Sequence, residues 1–141
     1  MKKKIHKLNF NPEYDFFLIG ISSHENDYRI SWALNNYLGL KLVRMDDHKI
    51  IDNNYPEPLN FSTFIYNDEE SLLSYKLIKN RCYDGYLIGE IKNIDFLFII
   101  SGETNQIFLD NLTQKINDLS IVNTAFQIDP EKLKSRQKLL F

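Results

Sequence analysis

Residues 95–100, Asp95-Phe96-Leu97-Phe98-Ile99-Ile100, decide the fold because they include one of the two longest apolar runs of the chain. Five consecutive large apolar side chains, two of them β-branched, are typical of a strand that is buried on both of its faces. We therefore expect residues 95–100 to form the most buried strand of the protein.

Other predicted strands precede this one in close succession. Between residues 45 and 61, the segment Asp52-Asn53-Asn54-Tyr55-Pro56-Glu57-Pro58 reads as a loop, since its prolines cannot serve a central strand. Further on, Asp84-Gly85 is a residue pair typical of a hairpin turn between two strands. The predicted strands lie at residues 16–21, 40–45, 61–66, 72–79 and 86–91. Strands grouped in this way indicate an antiparallel or mixed sheet.

Two helices are predicted from apolar residues that recur at helical spacing. The first has Asp27 as its N-cap and ends at Gly39, and the second follows Gly102. The predicted buried stripes are Ile30, Ala33, Leu34, Tyr37 and Leu38 in the first helix, and Phe108, Leu112, Ile116 and Leu119 in the second. Each helix is therefore expected to cover the sheet with one face.

The last part of the chain is predicted to form a strand and a short helix. Residues 122–128 alternate between apolar and polar, with Val122, Thr124, Phe126 and Ile128 on the expected buried face. Asp129-Pro130-Glu131 then begins a cationic helix over residues 130–138. The predicted core residues are Ile30, Leu34, Phe98, Phe108, Leu112 and Phe126.

The chain of 141 residues, 1–141, is short enough to be a single globular domain. Its predicted class is α+β: a two-layer domain with a mostly antiparallel or mixed sheet of about six strands. Two main helices cover one face, and a short C-terminal helix follows.

Basic residues concentrate in two terminal segments, residues 1–10 and 130–141. Residues 1–7 contain four lysines, and residues 130–141 contain four cations against Glu131, so the rest of the chain carries −9 when the whole chain carries −2. An acidic body repels phosphate backbones. We therefore do not expect a nucleic-acid partner, unless the basic termini alone contact one.

The chain is expected to be cytoplasmic and free of the membrane. Its longest apolar runs, Phe16–Ile21 and Phe96–Ile100, are much shorter than the roughly 20 residues that cross a bilayer. The basic start lacks the apolar stretch of a secretory signal. A single cysteine, Cys82, excludes an internal disulfide and fits a reducing compartment.

Glu90 and Asp95 are the acids that deserve a chemical interpretation. A carboxylate pair can serve acid–base catalysis or bind Mg²⁺, and the short segment between the two acids can bring them together. The alternative is structural, because charged residues protect strand edges and aspartate often serves a turn. No histidine or nucleophile lies near them in sequence, so we expect no catalytic residue, no metal ligand and no cofactor.

Two apolar features are predicted binding surfaces. Tyr28, Arg29 and Trp32 lie within one and a half turns of the first helix, and these residue types are enriched in interface hot spots. The alternative is that Trp32 only extends the core. At the other end, Leu139, Leu140 and Phe141 are expected to be buried, on this protein's own surface or on a partner's.

Three segments resemble the signature stretches of the bacterial IPExxxVDY family. Residues 88–96, Ile88-Gly89-Glu90-Ile91-Lys92-Asn93-Ile94-Asp95-Phe96, have glycine, isoleucine and phenylalanine where the signature has proline, valine and tyrosine. The other two are Gly20–Arg29, and Thr124–Leu133 with the closing Leu139–Phe141. The family is small and its biochemical role is unassigned, so the resemblance implies a single-domain length and no activity.

The leading interpretation is a non-catalytic cytoplasmic interaction protein that self-associates or docks to a partner through the first helix and the basic C-terminal segment. The alternative is a small-ligand-binding or enzyme domain that uses Glu90 and Asp95, together with Arg44. A weaker alternative is a nucleic-acid-associated factor that acts through its basic termini. These classes differ in what they bind, and the pattern of residues leaves all three open.

Overall fold

The computed structural model describes residues 16–139, which form six strands, two α-helices and three short 3₁₀ turns. The strands are β1 (Phe16–Ser22), β2 (Val43–Ile50), β3 (Leu59–Asn67), β4 (Ser74–Lys79), β5 (Phe96–Ser101) and β6 (Thr124–Ile128). The helices are α1 (Asp27–Leu38) and α2 (Gln106–Asn117), and the 3₁₀ turns are Gly89–Ile91, Pro130–Lys132 and Arg136–Leu139. The predicted α+β class is confirmed.

All neighbouring strands of the sheet are antiparallel, in the order β2-β3-β4-β5-β1-β6. Strand β5 lies in the interior of the sheet, between β4 and β1. Every residue from Phe96 to Ile100 is buried, as expected for a strand that is apolar on both faces. The edges are β2 and β6.

Two hydrophobic clusters lie on opposite faces of this sheet. On one face, Ile30 and Leu34 of α1 and Leu112 and Ile116 of α2 pack against strand residues such as Phe98. On the other face there is no α-helix among residues 16–139, and irregular segments take its place. The residues that cover this second face include Leu87, Ile88, Ile94, Leu133 and Leu139.

The predicted strand at 86–91 is wrong. Residues 80–95 form an irregular cover with one isolated bridge between Arg81 and Tyr86, closed by a hydrogen bond from the Cys82 N–H to the Gly85 carbonyl of 2.8 Å. The cause is the fully buried Asn80, whose side chain bonds backbone groups of Ile88 and of residues 91 and 94. These backbone groups are satisfied by an amide side chain and need no strand partner.

The predicted start of β2 at residue 40 is also wrong, because the strand begins at Val43. The side chain of Asn35 bonds both the N–H (2.8 Å) and the carbonyl (3.2 Å) of Leu42. This contact holds the residues before β2 at the end of α1 and away from the sheet. Gly39 ends α1 with a φ of 71°, in the left-handed region that favours glycine, as predicted.

The N-cap of α1 is Asn26, one residue before the predicted Asp27. The Asn26 side chain accepts a hydrogen bond of 2.8 Å from the Arg29 N–H. Asp27 is then the first helical residue, and its carboxylate accepts the hydroxyl of Ser62 on β3. The side chain predicted to cap the helix therefore joins it to the sheet.

The predicted burial of Phe126 is wrong as well. Ala125 faces the helices and is buried, so Phe126 faces the opposite side of the edge strand and is 40% exposed. Of the six predicted core residues, Ile30, Leu34, Phe98 and Leu112 belong to the helix-side cluster, and Phe108 packs against it partly buried.

The C-terminal segment forms two 3₁₀ turns where one cationic helix was predicted. Asp129 caps the first turn and Pro130 begins it, as the sequence indicated. Leu133 and Leu139 are both buried on the second face of the sheet. Six residues turn an α-helix by about 240° beyond one full turn, so a single helix would point these two side chains in different directions.

Candidate functional site

Glu90 holds the C-terminal segment in place. One carboxylate oxygen accepts the backbone N–H of Ser135 at 2.9 Å, and the other accepts the Ser135 hydroxyl at 2.8 Å. Partial burial acts to raise the pKa of Glu90, but the hydrogen bonds from Ser135 outweigh it and hold that pKa below its usual value. The carboxylate is therefore charged at neutral pH and engaged on both oxygens.

Asp95 joins the end of β1 to the start of β5. Its side chain accepts the Ser23 N–H at 2.8 Å and lies 3.5 Å from a guanidinium nitrogen of Arg81. Its backbone N–H donates to the Ile21 carbonyl at 2.9 Å, and its own carbonyl accepts the N–H of Asn80 at 2.8 Å. Asp95 thus fixes the junction between two strands and the covering segment.

Glu90 and Asp95 face different partners, in the C-terminal segment and at the end of β1 respectively. Arg44, the third residue of the ligand-binding alternative, pairs with Asp47 at 2.6 Å and lies over the Phe64 ring on the helix side of the sheet. The bond to Asp47 raises the pKa of Arg44. The sheet therefore separates Arg44 from Glu90, and these residues do not line a common site.

Within residues 16–139, no group of three histidine, cysteine, aspartate or glutamate side chains is placed to hold a metal ion. His48, which follows two aspartates in sequence, bonds the Lys138 carbonyl through Nε2 at 2.8 Å. Burial lowers the pKa of His48 below its usual value. His48 therefore contacts the C-terminal segment and does not form a metal site with the two preceding aspartates.

A groove lies between α1 and the loop that follows α2. Its volume is about 280 Å³, and we call it the α1 groove. The Ser23 hydroxyl fixes the loop wall by donating to the Ile121 carbonyl at 2.6 Å. The groove is lined by Arg29, Trp32, Ala33, Asn36 and Tyr37 of α1 and by Leu119, Ser120 and Ile121 of the loop.

The α1 groove contains two of the three residues predicted for a binding surface on the first helix. Trp32 lines it and is 62% exposed, so it does not serve as an extension of the core. Arg29 lines it too. Tyr28 lies outside the lining and makes an edge-on contact with Phe64, with ring centroids 5.4 Å apart. Tyr37, which was predicted to be buried, is exposed and forms part of the wall.

Among the described residues that line the groove, Arg29 is the only charged one. In the described range, 16–139, its guanidinium has no ion-pair partner and no hydrogen-bond acceptor. A cation beside apolar and aromatic walls is suited to an apolar group that carries a carboxylate close by. The groove can therefore recognise an acidic, apolar segment of a protein.

Leu139, the last residue that the structure describes, does not line this groove. Leu139 is buried within the second-face cluster of its own molecule. Leu140 and Phe141, which were predicted to be buried with it, lie outside the described residues. Of the binding surface predicted at the C-terminus, only Leu139 is described, and it packs on its own molecule; the prediction for Leu140 and Phe141 stays a prediction.

Comparison with known proteins found no matching family model, no matching curated protein and no matching solved structure. The resemblance to the IPExxxVDY family stays a prediction. In the described part of the chain, no helix is long and apolar enough to cross a membrane.

Proposed function

We propose that this protein is a non-catalytic interaction module that binds a protein segment through the α1 groove. The observation that carries the proposal is Arg29, a cation without a partner among residues 16–139, which shares the groove lining with the exposed aromatic side chains of Trp32 and Tyr37. Tryptophan, tyrosine and arginine are the residues that most often dominate binding energy at protein interfaces.

The size of the groove supports a protein segment as the occupant. Pockets that bind small molecules and cofactors usually have volumes of about 300–1,000 Å³ and enclose most of the ligand. The α1 groove, at about 280 Å³, is at the small end of that range, and its walls include the exposed side chains of Trp32 and Tyr37. It has room for one or two side chains that project from a partner.

Two other parts of the proposal rest on the sequence. We retain a cytoplasmic setting, on the evidence of the single Cys82, and membership of the IPExxxVDY family, on the resemblance of residues 88–96. The nucleic-acid alternative, which acts through both basic termini, stays a prediction, because residues 1–10 lie outside the described residues.

The test compares the partners that variants capture from a lysate of the native host, identified by mass spectrometry. Trp32→Ala and Arg29→Glu should lose a partner that the wild type captures. Matched controls are Tyr83→Ala and Lys41→Glu, which alter an exposed aromatic residue and an exposed cation outside the groove. Equal capture by groove variants and controls contradicts the proposal.

A further inference from the structure

The β3–β4 hairpin ends in a tip, residues 68–72, that presents an unusual leucine. Leu72 has a φ of 63°, the left-handed conformation that glycine adopts freely and leucine does not, and no other non-glycine residue among 16–139 has a positive φ. Its side chain is 77% exposed. Within one molecule, the backbone conformation of Leu72 is therefore unfavourable, and little of its side chain is buried to offset that.

The hairpin tip is held in a defined shape. The Leu72 N–H donates to the Asp68 carbonyl at 2.8 Å, and the Asp68 N–H donates to the Leu73 carbonyl at 2.9 Å. The Asp68 carboxylate accepts the Glu70 N–H at 3.1 Å and the Ser71 hydroxyl at 2.8 Å. A preformed tip of this kind loses little conformational entropy when it binds.

The hairpin tip also carries the charge that the α1 groove lacks. Glu69 and Glu70 are exposed beside Leu72, and neither has an ion-pair partner in the described range. The tip thus joins one apolar side chain to two carboxylates. The groove offers apolar walls and one cation, Arg29. The two surfaces are complementary in charge and in polarity.

The tip and the groove lie at opposite ends of the sheet. The hairpin joins Asn67 to Ser74, which the strand register aligns with Ser101 and Phe16, the first residue of β1. The groove wall is anchored at the other end of β1, through Ser23. Seven residues of strand extend over about 20 Å, so a molecule cannot insert its tip into its own groove.

A symmetric pairing of two grooves is disfavoured. It would bury a cation from each copy with no acidic residue among the described lining residues to pair with it, and a buried cation without a partner is costly. We propose that the α1 groove receives the hairpin tip of a second copy of this chain, with Leu72 between the apolar walls and Glu69 or Glu70 on Arg29. This rests on the proposed function in taking the groove as the docking surface.

A contact between two different surfaces leaves a free tip at one end of the pair and a free groove at the other. Association of this kind continues until it closes into a ring or extends as a chain. The average mass in solution should therefore rise steadily with protein concentration.

The test uses one variant of each surface in sedimentation velocity at low salt. The groove variant is Arg29→Glu, and the tip variant combines Leu72→Gly, where glycine suits the positive φ, with Glu69→Gln and Glu70→Gln, which leave no charge to pair with either form of the groove. Wild type should self-associate, and each variant alone should associate at least about tenfold more weakly. An equal mixture should form a dimer and nothing larger, because only the tip of the groove variant and the groove of the tip variant remain.

Two outcomes overturn the inference. One is a wild type that stays monomeric up to about 1 mM, and the other is self-association that the tip variant does not weaken. If either occurs while partner capture still depends on Trp32 and Arg29, the proposed function stands and only its occupant is wrong. If the groove variants also capture partners normally, both proposals fail.

Discussion

At the scale of single residues, three asparagine side chains form the backbone hydrogen bonds that a neighbouring strand would otherwise form. Asn35, Asn80 and Asn117 each bond both the N–H and the carbonyl of one other residue, which are Leu42, Ile88 and Ala125 respectively. An amide side chain offers one acceptor and two donors, so it can replace a peptide group. Asn117 thereby closes part of the outer edge of β6, where another chain could otherwise pair.

Replacing Asn80 by alanine should be among the most destabilising single changes. The side chain is fully buried, and its loss removes the partner of the Ile88 N–H and of the Ile94 carbonyl. Each such group costs about 1–3 kcal/mol, so we expect a loss of at least about 2 kcal/mol in the free energy of unfolding. Urea denaturation measures it, with the exposed Asn123→Ala as the matched control. Equal midpoints for the two variants would contradict this role.

Replacing Leu72 by glycine should have the opposite effect on the monomer. The change removes the conformational strain of a leucine in the left-handed region, about 1–2 kcal/mol. Part of this gain is lost because glycine gives the unfolded chain more conformational entropy. We expect a small net gain in stability, measured as a higher thermal midpoint at dilute protein. A lower midpoint would show that the side chain of Leu72 stabilises its own molecule.

At the scale of elements, the pattern of apolar residues predicted most of the strands and both helices, and tertiary contacts explain the exceptions. In α2 the predicted stripe was correct for Leu112 and Ile116, which are buried, but it omitted Leu109, which is fully buried. The prediction of a strand at residues 86–91 was wrong because the side chain of Asn80, a residue outside that segment, bonds the backbone of Ile88. The predicted buried face of β6 was wrong because the small residue Ala125 is buried, whereas Phe126, which was predicted to be buried, is exposed.

Shortening Leu112 to alanine tests the contact of α2 with the sheet. Leu112 is buried in the helix-side cluster, and substitutions of this kind cost about 2–5 kcal/mol. Ile107→Ala on the same helix is the control, because Ile107 is exposed and its loss should cost less than about 0.5 kcal/mol. If thermal denaturation gives both variants the same midpoint, α2 does not pack as described.

The contact between Glu90 and Ser135 should make the attachment of the C-terminal segment depend on pH. Because the pKa of Glu90 is lower in the folded protein than in the unfolded chain, its contribution is present above the unfolded value of about 4.3 and is lost as the pH falls through the folded value. The difference in stability between wild type and Glu90→Gln should be constant at neutral pH and shrink in acid. A difference that grows in acid would contradict the direction of the shift.

At the scale of the whole molecule, the sheet separates the irregular cover from the face that holds the proposed binding groove. Glu90, Asp95 and the C-terminal segment secure the irregular cover on one side, and the α1 groove opens on the helix side. Residue types alone pointed to Arg29 and Trp32, because such residues are frequent at interfaces. The second wall, residues 119–121, could not be predicted, since only the folded chain brings it beside α1.

The central claim is that the α1 groove is a docking surface, and site-specific photo-cross-linking in the native host tests it most directly. A photoreactive phenylalanine analogue at position 36, which lines the groove and leaves Trp32 and Arg29 in place, should give discrete protein adducts, while the same analogue at the fully exposed position 83 should give none. An adduct that contains residues 68–72 of a second copy would also identify the occupant. No adduct at position 36, or the same adducts at both positions, would contradict the claim.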